Sequence, residues 1–336
     1  MHRIAKRRRT VVQTGLDKIA QQSQVGRGVH DRTSENLEAT VSQSVNLGGI
    51  FTPTGTSLAL KRVGYGAMQL TGSMVWGPPR DRAGAINVLR EAVRLGVNHI
   101  DTSDYYGPHI ANEIIREALH PYPKELVIVT KVGARRAPDK SWPAALSKKE
   151  IVGAVHDNLR HLGLDVLDVV NLRVDDSGLT DGSLAEPLTV LTDLQAQGLV
   201  KHIGLSNISY RQFVDGRAIA EIVCVQNHYN LVFRHDDRLI DELSSLGIAF
   251  VPFFPLGGFR SLQSPILDAA AASLGVPARQ VALAWLLQRS PNILIIAGTS
   301  SVEHLHENLK AATLQLPSET VAQLNEIATV KKSREP

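Results

Sequence analysis

Short apolar runs recur along most of the chain, separated by longer stretches in which apolar residues return every three or four positions. The short runs lie at 63–67, 97–101, 127–131, 166–172, 202–205, 223–226, 249–253 and 293–297. They are often β-branched and lack clear alternation, as expected for strands covered on both faces. Between them, Ile86, Leu89 and Val93 share one side of a helix, as do Ile151, Val155, Leu159 and Leu162, and Leu239, Leu243 and Leu246. The helical stretches stop at Gly96, Gly163, Gly198 and Gly247, each just before the next strand. Glycine there takes the left-handed conformation that ends a helix at little cost. Eight βα units over about 270 residues predict an α/β fold, a (β/α)8 TIM barrel spanning 46–330, with its site at the C-terminal ends of the strands. A doubly wound Rossmann sheet is the alternative. Against it, Gly64-Tyr65-Gly66-Ala67-Met68-Gln69 lacks the third glycine of a dinucleotide fingerprint, and no helical pattern follows at once. Residues 46–58, with Gly48-Gly49 and Pro53-Thr54-Gly55, predict a short N-terminal β-hairpin.

The strand ends carry the candidate chemistry. The run at 97–101 ends in Asp101, and Tyr106 follows in the loop Asp101-Thr102-Ser103-Asp104-Tyr105-Tyr106-Gly107. The next run ends in Lys131. A phenol has a pKa near ~10 and exchanges protons poorly at neutral pH. A lysine cation beside it favours the phenolate, and an aspartate can hold that lysine in place. Such a set suits adding a proton to a carbonyl oxygen while hydride reaches the carbon.

Composition changes this picture little. Of the 336 residues, 43% are hydrophobic and 21% charged, as in ordinary globular proteins. The single cysteine, Cys224, sits in an apolar run, so it excludes an internal disulfide and reads as a buried structural thiol. It suits a reducing compartment, and a cytoplasmic location is expected. No apolar run is long enough for a membrane span. The net charge of +3 owes much to Arg3, Lys6, Arg7, Arg8 and Arg9. Residues 1–45, rich in Gln, Ser, Thr and Arg, are expected to form a disordered basic extension or an over-long start, with a transit peptide as the alternative. The basic cluster leads into Asp17-Lys18 and no apolar h-region, against a twin-arginine signal. Its few cations are read as solvated charge, so no nucleic-acid partner is expected. Residues 331–336 read as a short tail.

The motifs at 101–107, Val129-Thr130-Lys131-Val132-Gly133, Gly204-Leu205-Ser206-Asn207, Gln226-Asn227-His228-Tyr229-Asn230, Pro255-Leu256-Gly257 and Gly298-Thr299-Ser300, leading to Glu307-Asn308, resemble the aldo-keto reductase family. The resemblance implies reduction of carbonyls with NADPH (NADP+ in reverse) bound in extended form at the barrel mouth. By it, Tyr106 is the acid/base, Lys131 lowers its pKa, and Asp101 pairs with Lys131. Ser206, Asn207 and Gln226 match residues that hydrogen-bond the nicotinamide carboxamide, and Phe253 the aromatic residue that stacks on the ring. Leu256 and Gly257 join the cofactor site, and Gly298, Thr299, Ser300, His304, Glu307 and Asn308 would grip the adenosine phosphate end. Many members carry Lys and Arg where Gly298 and His304 stand here; NADPH is still expected ahead of NADH. Tyr65, Met68, Trp76, Tyr105 and Phe254 are candidates for an aromatic, apolar substrate lining.

One departure narrows the match. The family usually places His at the end of the fourth strand, where Leu164-Asp165-Val166-Leu167-Asp168-Val169-Val170-Asn171-Leu172-Arg173 puts Arg173. A guanidinium there could stabilise the developing oxyanion or bind an anionic group of the substrate. It could instead pair with Asp175 or Asp176 and do no chemistry. Asn171-Leu172-Arg173, Val75-Trp76-Gly77-Pro78-Pro79 and Lys201-His202-Ile203-Gly204 are similar to the bacterial branch of the family that interconverts pyridoxal and pyridoxine with NADP(H). The alternatives are a reductase of other aldehydes or ketones, or a cofactor-binding regulatory subunit. The expected partner is a small carbonyl compound; the oligomeric state is left open. No metal site is expected: His304 and His306 would sit about 200° apart around one helix, and His156 and His161 read as surface or packing residues.

Overall fold

A computed structural model describes residues 47–174, 182–259 and 262–328. The extension at 1–45, the tail at 331–336, and Asp175 and Asp176 lie outside the described residues. Two short strands, β1 (Ile50–Phe51) and β2 (Leu60–Lys61), pair antiparallel. The hairpin thus closes a little later than 46–58, because its second arm is Leu60-Lys61.

Seven parallel strands follow, each hydrogen-bonded to the next in chain order. They are β3 (Tyr65–Gly66), β4 (His99–Asp101), β5 (Val127–Val132), β6 (Leu167–Arg173), β7 (Val200–Ser206), β8 (Ile222–Gln226) and β9 (Ala249–Phe250). The eighth position belongs to the predicted run at 293–297, which is no regular strand. Isolated parallel bridges join Ile293 to Phe250 and Ile295 to Val63. Gly64 N and Leu294 N donate to Ile295 and Phe250 carbonyls at 2.8 and 2.9 Å, so this segment links the last strand to the first. The barrel is therefore a (β/α)8 arrangement with one irregular stave.

Helices α1 (Arg82–Arg94), α2 (Ile110–Leu119), α3 (Lys148–Leu162), α4 (Ala185–Ala196), α5 (Tyr210–Arg217) and α6 (Asp237–Leu246) connect the strands. Helices α7 (Pro265–Leu274) and α8 (Ala278–Arg289) precede the eighth position, and α9 (Val302–Lys310) and α10 (Ser318–Asn325) follow it. The glycines predicted to end helices all have positive φ: 95° at Gly96, 66° at Gly163, 77° at Gly198 and 67° at Gly247. Among the described residues no single helix is long and apolar enough to cross a membrane.

Two apolar layers hold the barrel. Val129, Val169, Val223, Val251, Leu294 and Ile296 pack together, with Leu60 of the hairpin against them. Ile100, Ile128, Val132, Val170, Leu172 and Ile295 join the helices in a larger core. This division follows strand geometry, since neighbouring side chains point to opposite faces. Both faces are dry, which is why the runs lacked an apolar–polar alternation.

The barrel interior also holds His99, 2% exposed, whose two ring nitrogens have no hydrogen-bond partner among the described residues. Burial pulls its pKa down to about 4, so the ring is neutral. A Cβ at Gly64 would lie 2.1 to 2.5 Å from that ring. We expect Gly64→Ala to cost about 1–3 kcal/mol through overpacking, read as a fall in Tm by circular dichroism. Adding His99→Ala should restore part of the loss; an unchanged Tm in the single variant would refute the packing.

Candidate active site

Parallel pairing of β4 with β5 brings their C-terminal ends together. Lys131 Nζ donates to Asp101 Oδ1 at 2.6 Å and to the Thr102 carbonyl at 2.9 Å. Lys131 is 2% exposed and Asp101 4%, so two opposite charges share a nearly dry site. Such a pair persists only when the remaining lone pairs are also satisfied. Gln226, distant by 125 residues in sequence, supplies that partner: its Nε2 donates to Asp101 Oδ2 at 2.7 Å. The Lys131 ammonium stands 5.2 Å from the centroid of the Tyr106 ring.

The loop bearing Tyr106 is fastened on both sides. Tyr106 N donates to the Ser103 carbonyl at 3.0 Å, Gly107 N to Val75 at 3.2 Å, and Gly77 N to Gly107 at 2.7 Å. Gly107 has φ 104°, and a Cβ there would come within 2.5 Å of Ile110 Cβ. No other residue type meets both conditions without strain.

A cavity of about 250 Å³ opens beside this cluster, with Met68, Tyr105, Tyr106, Lys131, Trp142, Arg173, Asn207, Gln226, His228, Phe253, Phe254 and Phe259 in its walls. A groove shares Met68, Tyr106, Gln226, Phe253 and Phe254 with it and runs past Gly66, Leu256 and Gly298. The Arg173 guanidinium carbon lies 5.9 Å from the centroid of the Phe253 ring. Burial pushes the Tyr105 phenol up to about 12, with Arg173 acting in the opposite direction, so Tyr105 stays neutral. Cys224 Sγ donates to Asn171 Oδ1 at 3.2 Å, and burial, reinforced by Asp101, pushes the thiol up to about 12.

The predicted substrate residues divide. Met68, Tyr105 and Phe254 line the cavity. Tyr65 and Trp76 do not. Tyr65 is fully buried between sheet and helices, and its hydroxyl donates to the Thr299 carbonyl at 2.5 Å. Trp76 bridges by its backbone to Gly107 and sets its ring 5.5 Å from the Arg136 guanidinium. Trp142, His228 and Phe259 were missed. Trp142 sits in the loop after β5, and Arg136 stacks on its ring at 3.8 Å. His228 lies within a motif already noted and stacks on Phe253 at 5.5 Å.

The predicted cofactor residues fall in two groups. Gln226, Phe253, Leu256 and Gly298 line the groove. Ser206 ends β7 fully buried, and its Oγ has no partner among the described residues. Asn207 adopts φ 59° and donates its backbone N–H to the Gln226 carbonyl at 2.9 Å. Gly257, at φ 95°, turns the chain beside Leu256. Thr299, Ser300, His304, Glu307 and Asn308 lie farther along and line neither cavity nor groove. Thr299 Oγ1 accepts from Ser301 N at 3.0 Å, and Glu307 pairs with Arg279 at 2.9 Å. Ser300 and His304 are exposed, and Asn308 is buried with its Oδ1 unpartnered among the described residues. His306 Nε2 lies 2.8 Å from Glu91 Oε1.

Comparisons with known proteins agree with this architecture. The sequence model of the Aldo/keto reductase family matches residues 62–329. The chain is 63% identical, over 273 residues, to pyridoxine 4-dehydrogenase of Escherichia coli, covering 80% of this chain and 96% of that protein. Among solved structures, a thermostable aldo-keto reductase, Tm1743, in complex with epalrestat superposes with a TM-score of 0.72 at 27% identity, over 83% of this chain and 99% of that one. An aldo/keto reductase from Klebsiella pneumoniae in complex with NADP and acetate superposes with a TM-score of 0.65 at 25% identity, over 80% and 92%. With the family match spanning most of the barrel, the chain belongs to the aldo/keto reductase family.

Proposed function

We propose that the chain is an NADPH-dependent carbonyl reductase that interconverts pyridoxal and pyridoxine, with Tyr106 as the general acid. The carrying observation is the buried Lys131–Asp101 pair beside the Tyr106 ring, in a cavity that also holds Arg173. Bound NADPH would supply hydride to the carbonyl carbon. Tyr106 gives its proton to the carbonyl oxygen, and the Lys131 charge stabilises the phenolate left behind. Asp101 fixes Lys131, and Gln226 fixes Asp101. In the reverse direction the phenolate takes the alcohol proton.

The residues fit a nicotinamide dinucleotide. Ser206 Oγ and Gln226 Oε1, buried and unpartnered among the described residues, are atoms that a carboxamide would satisfy. Asn207 follows Ser206 and donates its backbone N–H to the Gln226 carbonyl, and Phe253 lines the same cavity. Leu256, Gly257 and Gly298 would border the extended chain, and Thr299, Ser300, His304, Glu307 and Asn308 the adenosine phosphate end. The single buried cysteine suits a cytoplasmic setting.

Arg173 supports the choice of substrate, because pyridoxal carries a phenolic oxygen beside its aldehyde and a fixed guanidinium complements it. The similarity to a pyridoxine 4-dehydrogenase points the same way. Arg173→Leu should raise KM for pyridoxal about 10–100-fold, the worth of one hydrogen bond to a charged group, while sparing simple aldehydes. Loss of absorbance by the reduced nicotinamide gives both rates. Equal effects on all aldehydes would assign Arg173 to the oxyanion, and no pyridoxal turnover by the unaltered protein would end the reading. The aromatic lining favours a second reading, a reductase of broad aldehyde range, which comparable kcat/KM values across a panel would support.

A further inference from the structure

Asp104 precedes Tyr106 by two residues, and its carboxylate is nearly buried. His109 Nδ1 lies 2.7 Å from Asp104 Oδ2. His161 Nδ1, near the C-terminal end of α3, lies 2.7 Å from Asp104 Oδ1. The two imidazole rings stand 4.3 Å apart by centroid, and one ligand atom from each of the three residues falls within 4.8 Å of the others. We propose that Asp104, His109 and His161 form a binding site for a divalent transition metal of the zinc class, placed behind the loop that carries Tyr106 and separate from the carbonyl site.

The donor set suits that class. Two imidazole nitrogens and one carboxylate oxygen are borderline ligands of the type that hold zinc, with further positions left for water. In the metal-free protein each Nδ1–H donates to Asp104. For the metal to take that nitrogen, at about 2.0–2.1 Å, a neutral ring carries its proton on Nε2 instead, and an imidazolium gives up its Nδ1 proton to solvent while keeping the one on Nε2. Ligand atoms around a tetrahedral ion lie about 3.3 Å apart, so the two nitrogens, each 2.7 Å from a different Asp104 oxygen, would draw back from the carboxylate while the three ligand atoms, now within 4.8 Å of one another, close around the ion.

The surroundings favour a cation. Besides Asp104, the carboxylates of Asp157 and Glu113 add negative potential at His109. Asn112 Nδ2 donates to Asp104 Oδ1 at 3.2 Å and orients the carboxylate, as outer partners of metal ligands do. The same Asn112 accepts from Thr102 Oγ1 at 2.8 Å, and the Thr102 carbonyl accepts from Lys131 Nζ. His109 is 45% exposed at its side chain, against 9% for Asp104, and so gives an ion a route from solvent. His109 holds φ 67° ahead of α2 and makes no side-chain cap to that helix; its ring goes to Asp104 instead. Arg160 Nη2 lies 3.3 Å from His161 Nε2 and is already turned toward Asp157 Oδ1 at 2.6 Å.

Asp104 and His109 bracket Tyr105 and Tyr106, so an ion held by both and by α3 would tie the loop down at its two ends. The site does not depend on the substrate proposed above. Its test is titration of the metal-stripped full chain with Co2+, followed by visible d–d absorption, and with Zn2+ in competition with a chromophoric chelator. One ion per chain at micromolar affinity or tighter is expected. His109→Gln and His161→Gln should each weaken it at least 10-fold, whereas His304→Gln and His306→Gln should leave it unchanged. Saturating Zn2+ should raise Tm by several degrees in the unaltered protein and not in the His109 or His161 variants. Far-UV circular dichroism establishes that the variants are folded, and His109, half-exposed, is the safer of the two. No stoichiometric ion, or equal binding by both variants and the unaltered chain, would overturn the proposal.

Discussion

Tyr106→Phe should lose about 10²–10⁴-fold in kcat while still binding NADPH, because it removes the hydroxyl that transfers the proton and leaves the ring. That range corresponds to about 2.7–5.4 kcal/mol of transition-state stabilisation. The ring packs edge-on to Tyr105 at 5.4 Å and Trp142 at 6.3 Å, contacts that phenylalanine keeps. A fall in kcat without a matching fall in cofactor affinity, the latter read by fluorescence titration, would separate acid catalysis from binding. Tyr105→Phe is the control. Its phenol is pushed up to about 12 by burial, which suits a neutral hydrogen-bond donor and not the proton-transfer group. It should alter KM more than kcat. If the Tyr106 variant kept most of its turnover, proton transfer would have to be assigned elsewhere in the cavity.

Lys131→Met should cost both activity and stability. Its side chain is of similar length and fits the site, but it takes the cation from the Asp101 carboxylate, 4% exposed, and leaves Gln226 Nε2 as its side-chain donor among the described residues. Breaking a buried ion pair from one side costs about 3–5 kcal/mol. Urea unfolding should show a midpoint shifted well below that of the unaltered chain. Turnover should fall by at least about 100-fold, since the phenolate loses its stabilising charge. Adding Asp101→Asn to Lys131→Met removes the stranded charge, so most of the stability should return and none of the activity. An unshifted midpoint for Lys131→Met would mean that the pair is not held out of water.

The chemistry around Asp101 was legible along the chain because it sits at strand ends. A residue that closes an apolar run and opens a loop lies at the barrel mouth whatever the neighbouring strands do. Asp101, Lys131 and Arg173 are all of this kind. Tyr106 was readable for a related reason: a short loop off a strand end cannot travel far. Residues off the strand ends were harder. Tyr65 is aromatic and near the mouth by position, yet β3 turns its side chain into the sheet–helix layer. Trp142 and Phe259 lie in longer loops whose course no local pattern reveals.

By itself the sequence determined the order of βα units, the glycines that end their helices, and which ionisable groups close the strands. Those properties depend on local geometry: a period of two or 3.6 residues, a positive φ, the end of a run. Only the tertiary structure decided what meets across elements. It placed Gln226 on the free oxygen of Asp101, gave the eighth stave to a segment joined by bridges alone, and gathered Asp104, His109 and His161 from a loop and a helix 57 residues apart. Periodicity tells which face of an element is buried; the stagger between strands and the rotation of helices over them set the partners, and these follow from packing the whole barrel at once.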